Sequence, residues 1–374
     1  MEDEIFMEKA LILARKGSGK TSPNPMVGAL VVKGGRILGK GYHRRYGGAH
    51  AELSALRNAK EDVKDASMYV TLEPCCHHGW TPPCVDAVIG AGINRVVIGT
   101  ADLNPRVNGK GIQILRDYGI QVKVGVLGER CRMLNEAYFK HIQTGIPFVT
   151  LKFAQSLDGR IATKTGHSQW ISSPGTLRLA HKLRSTHDGV LVGIGTVLVD
   201  DPSLTVRLLK GKNPQRIIVD GRLRIPLKAK ILNDEEVDKT IIVATEGANP
   251  RKTQRLRNLG AEVLWAGKNQ RGELDMTDVL KQLGRMGITS VLVEGGAKII
   301  TSLIRERLAD KIVLVVAPKL IGEGIEAVGN LEIHDLSEAL SITKMKTRRL
   351  GDDIVIEGYL ETGRDRQRTG NDKM

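Results

Sequence analysis

Two stretches decide how this chain is read: His50-Ala51-Glu52, and Glu73-Pro74-Cys75-Cys76-His77-His78-Gly79-Trp80-Thr81-Pro82-Pro83-Cys84. Three of the four cysteines lie in the second stretch, beside two histidines. That clustering favours a metal site over a disulfide framework. Zinc takes thiolates and imidazole in a tetrahedron, and a catalytic site keeps one position for water. His50, Cys75 and Cys84 supply three such ligands. His50 precedes a helical stretch, Ala51–Ala59, and Cys84 follows Pro82-Pro83, a first-turn signal. A helix start favours the thiolate, which is the form that binds metal.

Glu52 lies two residues beyond His50, so it can reach a water at the metal without ligating the metal itself. A carboxylate so placed takes a proton from water and later returns it to departing ammonia. Nucleobase deaminases carry this arrangement as H-x-E followed by P-C-x-x-C. Here eight residues separate the two cysteines, not two. The bland alternative is a closed structural site, with Cys76, His77 or His78 as a fourth ligand. Glu52 opposes it, because a structural site needs no carboxylate there.

Around this core the pattern is that of a layered α/β domain. Ile5–Lys16 has helical spacing. Val27–Val32 and Arg36–Gly39 form a hairpin around Lys33-Gly34-Gly35. Strands follow at Ser67–Leu72 and Arg95–Ile98, with a helix at Val85–Ala91 between them. The composition changes near Thr144-Gly145-Ile146-Pro147. Beyond it, strands at Phe148–Phe153, Gly189–Ile194, Arg216–Val219, Thr240–Ala244, Ser290–Val293 and Lys311–Val316 alternate with helical stretches. This predicts a second α/β domain, mostly parallel in sheet. The expected division is 1–145, 146–362 and a basic tail, 363–374, expected to be disordered.

Two glycine-bearing segments of the second domain invite ligand readings. Gly193-Ile194-Gly195-Thr196-Val197-Leu198 fails the dinucleotide fingerprint, because Leu198 stands where a third small residue belongs. A plain turn after a buried strand explains it equally. Glu294-Gly295-Gly296, between a buried strand and the helix Ala297–Arg305, is a better anion site. Leu198-Val199-Asp200-Asp201-Pro202 is expected to end a strand, with polar groups at its C-terminal edge.

The cysteine spacing, with Thr71-Leu72-Glu73-Pro74-Cys75, Thr81-Pro82-Pro83-Cys84 and Pro23-Asn24-Pro25-Met26-Val27-Gly28, resembles the riboflavin-biosynthesis pyrimidine deaminases. Ser156-Leu157-Asp158-Gly159-Arg160 and Ser168-Gln169-Trp170-Ile171 extend the likeness through the second domain. The whole pattern is similar to the bifunctional deaminase–reductases of riboflavin biosynthesis. That resemblance implies a cytidine-deaminase-like three-layer α/β/α domain followed by a dihydrofolate-reductase-like α/β domain. It implies zinc and NADPH as cofactors and a small phosphorylated pyrimidine as substrate. Deamination of a phosphoribosylamino-diaminopyrimidinone would come first, then reduction of its ribosyl chain to ribityl.

Carried onto this sequence, the family's pattern places Asn24 in the pyrimidine pocket, with His77 or His78 nearby. NADPH positions map to Ala154, Trp170, Thr196, Asp200, Gly296, Ala297, Lys298, Ile299, Ile300, Thr301 and Ser302. Substrate positions map to Ser168, Arg184, Leu204, Arg207 and Glu294. Guanidinium pairs with phosphate in a fork, which suits Arg184 and Arg207. No proton donor for the reduction stands out; Glu294 and Asp200 are candidates. One departure concerns Trp80, where the family carries a basic residue. Arg44, Arg45 or Lys110 could supply the missing charge.

The composition fits these expectations. Charged residues make up 26% and the net charge is +14, which favours anionic partners. A nucleic-acid base deaminase with a basic RNA-binding C-terminal half is the alternative reading. Aromatics are only 3% of the chain, so stacking platforms for single strands are not evident. The acidic start, Met1-Glu2-Asp3-Glu4, is unlike a signal peptide, and no apolar run is long enough to span a membrane. A cytoplasmic chain is expected, with no membrane partner, and a homo-oligomer on base rate.

Overall fold

The computed structural model describes residues 2–79 and 82–361. Trp80, and the tail read as disordered, lie outside the described residues. The chain divides into two compact units that part between Ile146 and Pro147.

The first unit runs α1 (Glu2–Ala14), β1 (Gly28–Lys33), β2 (Arg36–Tyr42), α2 (Ala51–Arg57), β3 (Ser67–Leu72), α3 (Cys84–Gly90), β4 (Arg95–Thr100), α4 (Lys110–Asp117), β5 (Gln121–Val124), α5 (Gly128–Leu134) and α6 (Glu136–Thr144). Its sheet has the order β2-β1-β3-β4-β5. β1 pairs antiparallel with β2 and β3, while β3, β4 and β5 run parallel. Successive strand side chains point to opposite faces. Ala29, Val31, Met68, Val70, Val96 and Ile98 therefore join α2, α3 and α4 in one core. Leu30, Val32, Tyr69 and Val97 join α1 in the other. The middles of these strands are continuously apolar because both faces are covered.

Glycine sets how closely α2 approaches the sheet. A Cβ on Gly41 would run into the Ala51 carbonyl oxygen, and one on Gly39 into that of Ala55. With neither Cβ present, α2 lies flush on β2 and its first turn is fixed in place.

The second unit continues with β6 (Phe148–Ser156), β7 (Arg160–Thr163), α7 (Pro174–Thr186), β8 (Gly189–Gly193), α8 (Ile194–Asp200), β9 (Gln215–Val219), β10 (Thr240–Thr245), α9 (Pro250–Asn258) and β11 (Glu262–Ala266). Then come α10 (Met276–Arg285), β12 (Ser290–Glu294), α11 (Ala297–Arg305), β13 (Lys311–Ala317), β14 (Gly324–Glu326), β15 (Ile342–Leu350) and β16 (Asp353–Leu360). The large sheet has the order β11-β10-β9-β8-β12-β6-β13-β16-β15. It is parallel from β11 through β13 and antiparallel in its last two pairings.

One expectation fails here. Leu198–Pro202 does not end a strand: β8 stops at Gly193 and α8 carries the chain from Ile194 to Asp200. Ile194 and Val197 are buried, whereas Leu198 and Val199 are 46% and 68% exposed. That is one face of a helix at i, i+3 spacing. A continuous apolar run does not distinguish buried strand from helix, so the sequence left the boundary unmarked.

Candidate functional site

In the first unit, β3 and the starts of two helices bring the metal-type donors together. His50 is the N-cap of α2, and Cys84 is the first residue of α3. Cys75 follows β3, and its Sγ accepts the Cys84 backbone N–H at 3.4 Å. The His50 Nδ1 lies 3.2 Å from Cys84 Sγ and 3.5 Å from Cys75 Sγ. All three donor atoms fall within 4.8 Å of one another. Zinc–ligand distances of about 2.0–2.3 Å at tetrahedral angles put ligand atoms roughly 3.5 Å apart, so donor set and spacing both fit zinc. Hydrogen bonds from Cys84 and His50 lower the Cys75 thiol toward its metal-binding form, while the bond to Cys75 raises that of Cys84. Cys76 turns elsewhere, with its thiol toward the Arg106 carbonyl. His78 is exposed.

Glu52 is 3% exposed. Burial, reinforced by negative charge on Cys75, pushes its carboxyl up to about 7. A group poised near neutrality can both accept and return a proton. Glu52 opens onto a cavity of about 530 Å³ that Asn24, His50, Cys75 and His77 also line. His43, Asp102, Asn104, Arg106 and Tyr138 line it too. Asp102 and Asn104 fall in a stretch, Asp102-Leu103-Asn104-Pro105, that departs slightly from the family's usual Asp-Pro-Asn-Pro, and sequence reasoning assigned none of the five a role. For His43, Arg106 and Tyr138 the signal was weak, since each is a common residue with no spacing to mark it. His43 Nδ1 is 3.1 Å from the Ala49 carbonyl, so it carries the ring proton. Its Nε2 then accepts from Asn24 Nδ2 at 3.4 Å, which turns the Asn24 carbonyl oxygen away from His43. Arg44, Arg45 and Lys110, the basic residues considered for phosphate, do not line the cavity; Arg106, which was not considered, does.

The loop bearing Asn104 and Arg106 is held from below. Glu73 is 3% exposed and accepts backbone N–H groups of Asp102 (3.1 Å), Gly109 (3.0 Å) and Ile112 (3.2 Å). Asp102 in turn accepts the Tyr138 hydroxyl from α6 at 3.0 Å.

In the second unit, candidate residues gather at the C-terminal ends of β6, β8 and β12, where open α/β sheets place ligands. Gly295 and Gly296 have φ of +91° and +86°, and the turn they make opens α11. A Cβ on either would approach Thr196 Oγ1 at 3.7 Å, so Thr196 stands against this turn. The glycines and the first amides of α11 form a cradle that suits a cofactor phosphate. Lys298 is exposed at its rim. Farther along α11, Ile300, Thr301 and Ser302 are buried. The hydroxyls of Thr301 and Ser302 are spent on the Ala297 carbonyl and on Glu306. Asp200 takes hydrogen bonds from Ser168 and Gln169, while burial raises its carboxyl. Trp170 is 63% exposed beside them, and its carbonyl accepts from Lys319. Ala154 is half-buried on β6.

Arg184 does not present a free fork. Its Nε and Nη2 donate to the two carboxylate oxygens of Glu294 at 2.7 and 2.6 Å, and its Nη1 donates to the Thr205 carbonyl at 3.0 Å. Lys152, which the sequence reading passed over, sits opposite Glu294 in the β6–β12 register. Burial lowers its ammonium pKa, and the Glu294 charge opposes that. A lysine flanked by Leu151 and Phe153 in a buried strand was the available signal. Leu204 is buried with φ of +53°, and Arg207 beyond it is exposed.

The comparisons with known proteins agree with this division. Residues 1–100 match the cytidine and deoxycytidylate deaminase zinc-binding region, and residues 147–356 match the RibD C-terminal domain. The riboflavin biosynthesis protein RibD of Aquifex aeolicus is 47% identical, over 95% of this chain and 97% of its own. That of Escherichia coli is 38% identical, over 95% and 99%. Among solved structures, Acinetobacter baumannii RibD matches with a TM-score of 0.87 at 35% identity, over 96% and 99%. The diaminohydroxyphosphoribosylaminopyrimidine deaminase/5-amino-6-(5-phosphoribosylamino)uracil reductase of Thermotoga maritima matches with a TM-score of 0.84 at 36% identity, over 96% and 99%. A cytidine-deaminase-like unit joined to a dihydrofolate-reductase-like unit, aligned end to end with these proteins, means that the chain belongs to the RibD family of bifunctional riboflavin-biosynthesis deaminase–reductases.

Proposed function

We propose that the first unit removes an amino group from 2,5-diamino-6-ribosylamino-4(3H)-pyrimidinone 5′-phosphate, and that the second reduces the ribosyl chain of the product. The observation that carries this reading is the His50–Cys75–Cys84 cluster beside a buried carboxylate in one cavity. His50, Cys75 and Cys84 would hold zinc, which when bound would supply Lewis acidity toward water near neutral pH. Glu52 takes the proton from the attacking water and delivers it to the departing amine. Its raised pKa suits both halves of that transfer. Asn24, oriented by His43, reads the edge of the pyrimidine ring. Arg106, the arginine that lines the cavity, is the basic candidate for the phosphate.

NADPH supplies the hydride in the second unit. The Gly295–Gly296 turn and the start of α11 would hold its phosphate, with Thr196 against that turn and Asp200 as a further cofactor residue. Lys152 is the best-placed proton source: an ammonium destabilised by burial gives up a proton more readily. Glu294 and Arg184, locked together, form the fixed wall behind it, and Arg207 reaches for the substrate phosphate. The protein is expected to work as a homo-oligomer in the cytoplasm; sedimentation and fractionation test those two points.

The direct test incubates zinc-loaded protein with the diaminopyrimidinone substrate, with and without NADPH, and follows mass. Exchange of NH for O adds about 1 Da without NADPH. Hydride plus proton adds about 2 Da more only when NADPH is present. Neither shift, in a protein that still binds zinc and NADPH, would overturn the substrate assignment.

A further inference from the structure

We propose that His181 is a positioning residue for the reductase: its unprotonated Nδ1 latches the backbone of Arg207 and so aims that guanidinium at the substrate phosphate. The inference rests on the reading of Arg207 as a phosphate ligand, and its test separates the two.

His181 lies on α7 and is only 6% exposed. The backbone N–H of Arg207 points at its Nδ1 across 2.9 Å. A backbone N–H can only donate, so Nδ1 must offer a lone pair and the ring must be neutral, with its proton on Nε2. One turn further along α7, Arg184 donates to the Thr205 carbonyl. The helix therefore grips the 205–207 segment twice. Val206 N–H adds a third tie, to Asn213 Oδ1 at 2.7 Å, and Leu204 enters the segment in the left-handed region while buried.

The Arg207 side chain needs this support. It is exposed, and its Nη1 donates to Thr205 Oγ1 at 2.9 Å. A long side chain in solvent directs its charge only as well as the backbone beneath it is held.

Protonating His181 would set an N–H against an N–H and open the latch. The charged groups facing the ring are Arg184 on its own helix, Arg207 on the held segment and Glu294 at the end of β12. Burial and the two guanidinium groups resist the proton, whereas Glu294 favours it. The sign follows. The neutral ring, and with it the latch, is present above the ordinary imidazole range and is lost as pH falls through the lowered value.

The test is steady-state reduction by the full-length protein, with the phosphorylated aminouracil as substrate and NADPH oxidation as readout. His181→Phe removes the acceptor and should raise KM about tenfold, the worth of one displaced charge-assisted contact, with kcat little changed. His181→Asn puts an amide oxygen near the Nδ1 position and should restore KM at neutral pH. Substrate phosphate itself titrates near pH 6, so every variant shows some acid limb. His181→Asn should keep that part and lose the additional steepness of the unaltered protein. An unchanged KM in His181→Phe, or an acid limb in His181→Asn identical to that of the unaltered protein, would overturn the latch. If His181→Phe does not fold, the acid limb of His181→Asn decides alone. Arg207→Ala is the companion. If it raises KM while His181→Phe does not, Arg207 keeps its role and the latch falls. If Arg207→Ala changes nothing, the phosphate reading is at fault.

Discussion

The two sites are built from opposite materials. In the first unit, chemistry-specific side chains converge: two thiols, an imidazole and a carboxylate, all drawn from residues 50–84. In the second, the binding surface is largely backbone amides, a glycine turn and an ion pair, drawn from residues as far apart as Lys152 and Glu294. A metal demands particular donor atoms, so its site is written in residue types. A dinucleotide is held by shape and by amides that every residue possesses, so its site is written in backbone course.

Metal removal should break this comparison most sharply. Chelating zinc, or replacing Cys75 with Ser, should abolish deamination while NADPH oxidation on already deaminated substrate continues. Metal content and the two separate assays check it. Loss of both activities would mean that the sites are not independent. Next comes Glu52→Gln, which should lower deamination about 10³-fold with zinc content unchanged. A variant that turns over normally would leave the cavity as a binding site only.

Breaking the buried Arg184–Glu294 pair from one side should cost about 3–5 kcal/mol, because the remaining charge stays buried and unpaired. Thermal unfolding of Arg184→Ala, followed alongside reductase activity, would reveal it. A drop of less than about 1 kcal/mol would show that water reaches the pair. The smallest effect belongs to the start of the chain. The Arg95 guanidinium, with Lys123 and Tyr69, holds the Asp3 carboxyl well below the usual carboxylate range. A depressed folded-state pKa adds stability that is present at neutral pH and lost as pH falls through the carboxylate range. Asp3→Asn should therefore cost less than about 1 kcal/mol near neutrality, and the difference should vanish in acid.

The same contrast explains what could be read in advance. His50, Glu52, Cys75 and Cys84 were legible because soft donors in that spacing have few other uses. The strands of both sheets were legible because buried parallel strands are continuously apolar. Asp200 was misplaced onto a strand because the run from Val190 to Val199 does not show where β8 ends and α8 begins. His43, Arg106 and Lys152 went unnoticed for a different reason. Their importance lies in what they face, and facing is a property of the fold, not of the string. Arg184 was identified through the family resemblance, yet its pairing with Glu294 crosses 110 residues and no local pattern announces it.

The three amide hydrogen bonds gathered by Glu73 give the first unit a modular character. They fasten the main chain of the 102–109 loop from outside, while Asp102 and Asn104 hold its turn from within by accepting the Asn104 and Arg106 backbone N–H groups. The Arg106 side chain, which projects from this frame and lines the cavity, can be exchanged on it. A differently charged substrate could thus be recognised without disturbing the hydrolytic machinery at Cys75, two residues beyond Glu73. The anchor makes the loop an interchangeable faceplate on a constant engine, and directed changes in substrate preference should begin there.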